Sequence, residues 1–206
     1  MRHPAKVCTL LALSLAAAPA AHGQGGPRLG VELAGGLVFP MGGAADRFDS
    51  GTQLGANLLV EVIPAVGVYA GYSQTELPVS DSDGEVSWKG FEGGVRFSPA
   101  VMLGPVSPTL TLGATYFKPE VSGGSPAAGG EGERALGYRA GLGLDVPLGQ
   151  VLTASLGGSV TFDPEDKIPP IPDCPPSDPD CDPDTRLQVT VGLRVYPPFL
   201  GRGPGR

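Results

Sequence analysis

Taken two residues at a time, the stretch from Leu187 to Val195 places Leu187, Val189, Val191, Leu193 and Val195 on one face and Gln188, Thr190, Gly192 and Arg194 on the other. Side chains of an extended strand alternate between its faces, so a period of two predicts a strand with one apolar side. The alternation recurs along the chain and predicts strands near 28–39, 52–63, 66–76, 86–98, 108–118, 134–146, 151–163 and 185–196. Each has roughly the ten residues that a tilted strand needs to cross a bilayer.

One face of these segments is almost free of charge, with Leu29, Val31, Leu33, Leu37 and Phe39 sharing it on the first and Leu136, Tyr138, Ala140, Leu142, Leu144 and Val146 on the sixth. Lys89 is the main exception, close enough to a strand end to snorkel. The other face carries Glu32, Glu61, Glu92, Arg96, Arg139, Asp145 and Arg194, with Gln53, Asn57 and Gln188. The pattern predicts an all-β fold, an antiparallel up-and-down transmembrane β-barrel of about eight strands. A barrel of that size has an interior just wide enough for side chains to fill, so inward charges of both signs should pair with one another. The lumen is then a polar plug, and closure brings Arg194 on the last strand beside or across from Glu32 on the first.

Connection lengths give the orientation. The stretches around Pro40–Gly51, Leu77–Glu85, Pro119–Glu133 and Pro164–Asp184 are long, Pro64-Ala65 and Pro147–Gln150 are tight, and Pro99–Ser107 is longer than a periplasmic turn usually is. Long loops face outward and short turns face the periplasm. Phe39, Tyr72, Phe91, Tyr116, Tyr138 and Phe162 all fall toward the long-loop ends of the apolar faces, where an interfacial aromatic girdle belongs.

The beginning of the chain adds a compartment. Arg2 and Lys6, an apolar run from Val7 to Ala18 and then Ala21-His22-Gly23 have the form of a secretory signal peptide, read as residues 1–23. The barrel is read as 24–200, and 201–206 as a short polar tail. These features predict export through a cleaved leader to the bacterial outer membrane. The net charge of −7 and the lack of a basic patch speak against a nucleic-acid partner.

Cys174 and Cys181 are the cysteines left once Cys8 leaves with the leader, and an oxidising compartment should join them. Asp178, Asp180, Asp182 and Asp184 alternate around Cys181 in an oxygen-rich run that calcium could use. The run lacks the glycine turn and terminal glutamate of an EF-hand, so a solvated acidic loop is the default and no cofactor is called. His3 and His22 both lie in the leader, which leaves a histidine-based hydrolase without its base. Glu32 and Glu61 remain as possible paired carboxylates, with ion pairing as their simpler role. The expectation is a protein that is not an enzyme.

Alternation, leader and loop asymmetry together resemble the OmpA/OmpX-like outer-membrane β-barrel families over nearly all of the mature chain. The resemblance implies outer-membrane lipid as surroundings and the barrel-assembly machinery as a partner. Thr190, Gly192 and Val195 partly resemble the assembly signal of such proteins, while Pro197 and the tail Gly201–Arg206 depart from its usual aromatic ending. The leading function is a structural or surface-interaction role through the long loops. The alternatives are a narrow channel or small hydrophobic-ligand transporter, and a soluble lipocalin-like binding barrel. A lipocalin would turn the same alternation inside out, with apolar side chains within.

Overall fold

In the computed structural model the described residues are 28–42, 45, 48–63, 65–80, 84–99, 105–122, 130–163 and 185–197. The leader, Cys174, Cys181, Asp178, Asp180, Asp182, Asp184 and the tail 201–206 lie outside them.

The strands are β1 (Arg28–Pro40), β2 (Gly51–Ile63), β3 (Val66–Pro78), β4 (Glu85–Phe97), β5 (Ser107–Ser122), the short β6 (Gly130–Glu131), β7 (Ala135–Pro147), β8 (Leu152–Phe162) and β9 (Thr185–Val195). The long strands pair antiparallel in chain order, and β1 pairs with β9 to complete the ring, with β6 a short addition to β5. Closure leaves none of the long strands with an unpaired edge, a requirement wherever the surroundings offer no water to backbone groups. Alternation determines which side chains face where. Leu142 is 71% exposed, Leu54 70% and Phe91 68%, whereas Arg194 is 2% and Gln188 4% exposed. The apolar side therefore faces out. This is opposite to the soluble lipocalin-like alternative, and so continuous an apolar band calls for lipid.

Glycines on the inward face make room for the side chains that cross the lumen. A Cβ at Gly113 would collide with the Tyr69 hydroxyl and lie 2.8 Å from the Gly93 carbonyl.

The strands on one side of the barrel run further than the alternation predicts. β3 extends to Pro78 and β5 to Ser122, and β6 pairs with β5 inside the stretch 119–133 expected to be a loop. The cause is a change of phase. Beyond Tyr72, Phe91 and Tyr116 the alternation continues with its chemistry exchanged: Leu77, Val86, Trp88, Phe117 and Val121 turn inward and are buried, while Gln74, Glu76, Lys89, Lys118 and Glu120 share the outward face. Val38, Phe48, Leu77, Val86, Trp88, Phe117, Val121 and Ala135 form one buried apolar cluster inside this rim. A bridge between Phe48 and Val79 and the hydrogen bond Asp49 N to Pro78 O (3.0 Å) tie the connection after β1 to the β3 end. The outer end of the barrel is thus built like a water-soluble β-protein, apolar within and polar without.

Candidate functional site

Among the described residues, charged side chains converge above all in the lumen. Glu32 on β1 and Arg194 on β9 are directly opposite in register, both on the inward face. Arg194 grips Glu32 with two donors, one of them Nε at 2.9 Å, and its Nη1 donates to Asp145 Oδ2 at 3.0 Å. Arg96, arriving from β4, donates through Nη1 to Glu32 Oε2 at 3.1 Å and through Nη2 to Asp145 Oδ1 at 2.7 Å. Two guanidiniums and two carboxylates therefore alternate in a ring across the barrel. Fork-shaped donors on carboxylates are the strongest form of such pairing. Tyr196 extends the ring toward the β1–β2 edge: its hydroxyl accepts from Arg194 Nη1 at 3.2 Å and donates to Glu61 Oε1 at 2.5 Å. Arg28 covers the Tyr196 ring, 4.3 Å from its centroid, and sits 3.9 Å from Glu61.

A second layer lies nearer the middle. Arg139 on β7 donates through Nη1 to Glu92 Oε2 on β4 at 2.7 Å and through Nε to Ser159 Oγ on β8 at 3.0 Å. Ser159 Oγ in turn donates to Gln188 Oε1 at 3.3 Å. Between the two layers is a cavity of about 90 Å³, walled by Glu32, Asn57, Tyr69, Arg96 and Arg139 among others. The Gln53 and Asn57 side-chain oxygens, on its wall, accept no hydrogen bond from protein. Such a polar space admits a few waters.

A third layer was not foreseen from the sequence. Arg186, at the start of β9, pairs with Asp163, just after β8, and both are buried. The Arg186 guanidinium lies over the Trp88 ring at 4.4 Å and near the Phe117 ring at 5.5 Å, so it joins the ionic lumen to the apolar cluster above. Arg186 has the same parity as Gln188 and Arg194, which was the available signal. Asp163 lay at the edge of a predicted strand, where parity is a weak guide.

The lumen residues expected from the sequence thus fall into two groups, with Glu32, Arg96, Asp145, Arg194 and Glu61 in the first layer and Glu92 with Arg139 in the second. The aromatic residues Phe39, Tyr72, Phe91, Tyr116, Tyr138 and Phe162 are all on the outside and exposed.

Neither a protein-family model nor a curated protein sequence matches this chain. Solved structures do. Neisserial surface protein A is similar over 83% of this chain and 99% of that one, with a TM-score of 0.59 and 10% identity. A major outer membrane protein from Thermus thermophilus is similar over 82% of this chain and 98% of that one, with a TM-score of 0.54 and 14% identity. At these identities the likeness is one of architecture, and the chain has the closed antiparallel fold of the small outer-membrane β-barrels.

Proposed function

We propose that this protein is a non-enzymatic barrel of the bacterial outer membrane, exported by a cleaved leader, with a lumen plugged by its own side chains and a role carried out at the surface through its long hairpin ends. The observation that carries this reading is a double closure. The ring of Glu32, Arg96, Asp145 and Arg194 fills one level of the lumen, and the apolar cluster around Trp88 and Phe117 fills another. A solute crossing both would have to break buried ion pairs and then part a packed apolar core. Each step is costly on its own. Glu32 is held by two guanidiniums and Glu61 by Tyr196, so neither is poised as a general acid or base. Among the described residues the outer end of the lumen is occupied by the buried apolar cluster, which also disfavours carriage of a hydrophobic ligand.

A narrow channel is the second reading, and the cavity between the ionic layers favours it. Planar-bilayer recording separates the two. The plugged barrel is expected to give no stable large pore, and sustained conductance of general-porin size would overturn it. The proposed partners are outer-membrane lipid, the barrel-assembly machinery acting on β9, and a surface partner of the loops.

A further inference from the structure

Two cavities follow one another along the lumen and share a wall. The first, of about 90 Å³, lies between the ionic ring and the second layer; the other, of about 20 Å³, reaches outward from the second layer to Arg186 in the third. Gln53, Glu92 and Arg139 line both. Polar atoms without a hydrogen-bond partner in the protein follow the same course. Asn57 Oδ1 and Arg96 Nε are on the wall of the first cavity, Thr115 Oγ1 and Thr161 Oγ1 on that of the second, and Gln53 Oε1 is where the two meet. Gln53 is 5% exposed and Thr161 2%, so neither oxygen is served by bulk solvent. Buried polar groups in folded proteins are paired, because an unmade hydrogen bond costs more than a made one returns.

The chemistry of the walls selects what pairs with them. Glu32 is paired with Arg96, Glu92 with Arg139 and Asp163 with Arg186, so charge is balanced layer by layer. An ion of either sign would give up its hydration for no net counter-charge. The unpartnered atoms also divide between the two senses of hydrogen bonding: the amide oxygens of Gln53 and Asn57 accept, Arg96 Nε donates, and the threonine hydroxyls do both. An anion cannot serve the first kind and a cation cannot serve the second. The occupant is therefore neutral and both donates and accepts, which is the chemistry of water. A water needs about 10–15 Å³ of such space and two to four polar partners, so the smaller cavity takes one and the larger takes several.

We propose that a column of ordered waters runs through the lumen from Arg96 in the first layer, past Gln53 in the second, to Thr161, the register partner of Arg186 in the third. The column deepens the reading of the lumen as plugged and rests on it. It ends inward at the ring of Glu32, Arg96, Asp145 and Arg194 and outward at the dry apolar cluster, so the water is part of the plug and not a passage through it.

Water-to-protein cross-relaxation, measured by NMR on folded protein in detergent micelles, tests the column, with heat-modifiable gel migration showing that each variant is folded. Wild-type protein should show contacts from water to the Gln53 side-chain amide and to the methyl groups of Thr115 and Thr161, and none to the methyl groups of Leu77 and Val86 in the cluster. Thr161→Val adds a readout whose sign decides, since it removes the hydroxyl and keeps the shape. With the hydroxyl bound to water, the exchange should lower the folded-to-unfolded ratio in urea by roughly fivefold; in a dry cavity it would raise that ratio by removing an unpaired buried group. Replacing sodium chloride by potassium nitrate should leave the Gln53 and Arg139 resonances in place. Absence of water contacts at Thr115 and Thr161, a stabilised Thr161→Val, or a saturable shift with either salt overturns the column. Each of these leaves the plug standing, whereas sustained conductance of general-porin size overturns the plug itself.

Discussion

Arg194 is the residue on which the inner end of the lumen converges, since it binds Glu32 and Asp145 together and also reaches Tyr196. Arg194→Met should cost about 3–5 kcal/mol, because it leaves buried carboxylates with Arg96 as their main counter-charge. Combining it with Glu32→Gln should cost less than the sum of the two exchanges. Urea unfolding in lipid vesicles measures both, and additive effects would remove the pair from the stability account. The contact between Glu32 and Arg194 was legible because parity turns both inward and closure makes β1 and β9 neighbours. Arg96 and Asp145 were legible as inward charges that should pair, but their convergence on this particular pair was not, because β4 and β7 meet β1 only across the lumen, at a distance set by barrel radius and side-chain reach. Gly113 offers a second test at this scale. Gly113→Ala forces the Tyr69 hydroxyl aside and should destabilise by about 1–3 kcal/mol, with partial recovery when Tyr69→Phe is added. Folded yield by heat-modifiable migration reads the outcome, and an unaffected Gly113→Ala would mean that Tyr69 does not cross the lumen there.

At the scale of elements, β3, β4 and β5 each obey two rules along one strand, apolar outward in the band and apolar inward in the rim. This is why a single alternation, followed from the band, ends near residue 118. On β5 the set Leu110, Leu112, Ala114 and Tyr116 is followed by Phe117 and Val121, one residue out of phase, with Pro119 between them, and a broken pattern containing proline reads as a loop. The structure keeps Pro119 in the strand because its ring is buried and its carbonyl accepts from Gly132 N at 2.8 Å. The rim has a core of its own, so Leu77→Ala should cost about 2–5 kcal/mol locally. The expected sign is faster protease cleavage of the outer hairpins while the remaining barrel keeps its heat-modifiable migration. Simultaneous loss of both would show that rim and band are a single cooperative unit.

For the whole molecule, the two levels of closure act in series. Removing the ionic level through Glu32→Ala with Asp145→Ala should leave bilayer conductance small, because the apolar cluster still fills the outer end, and Trp88→Ala alone should do no more. Combining the exchanges should raise conductance above either, and a large pore from the ionic exchanges alone would show that the outer cluster is no barrier. The alternation made the barrel, its band and its inward charges legible, whereas Phe48, Trp88 and Phe117 gave no warning that the outer end closes on apolar packing. The reversal of phase at Tyr72, Phe91 and Tyr116 also works as a waterline. Were the barrel to sink, Lys89, Lys118, Glu76 and Glu120 would enter hydrocarbon, and were it to rise, the leucines of the band would meet water; both displacements are uphill. From Tyr116 to Ser122 the strand rises about 3.3 Å per residue, roughly 20 Å along its axis. The described strand ends at Pro78, Glu85 and Ser122 are therefore held out at a standoff from the lipid that is set by the chain itself rather than by a partner.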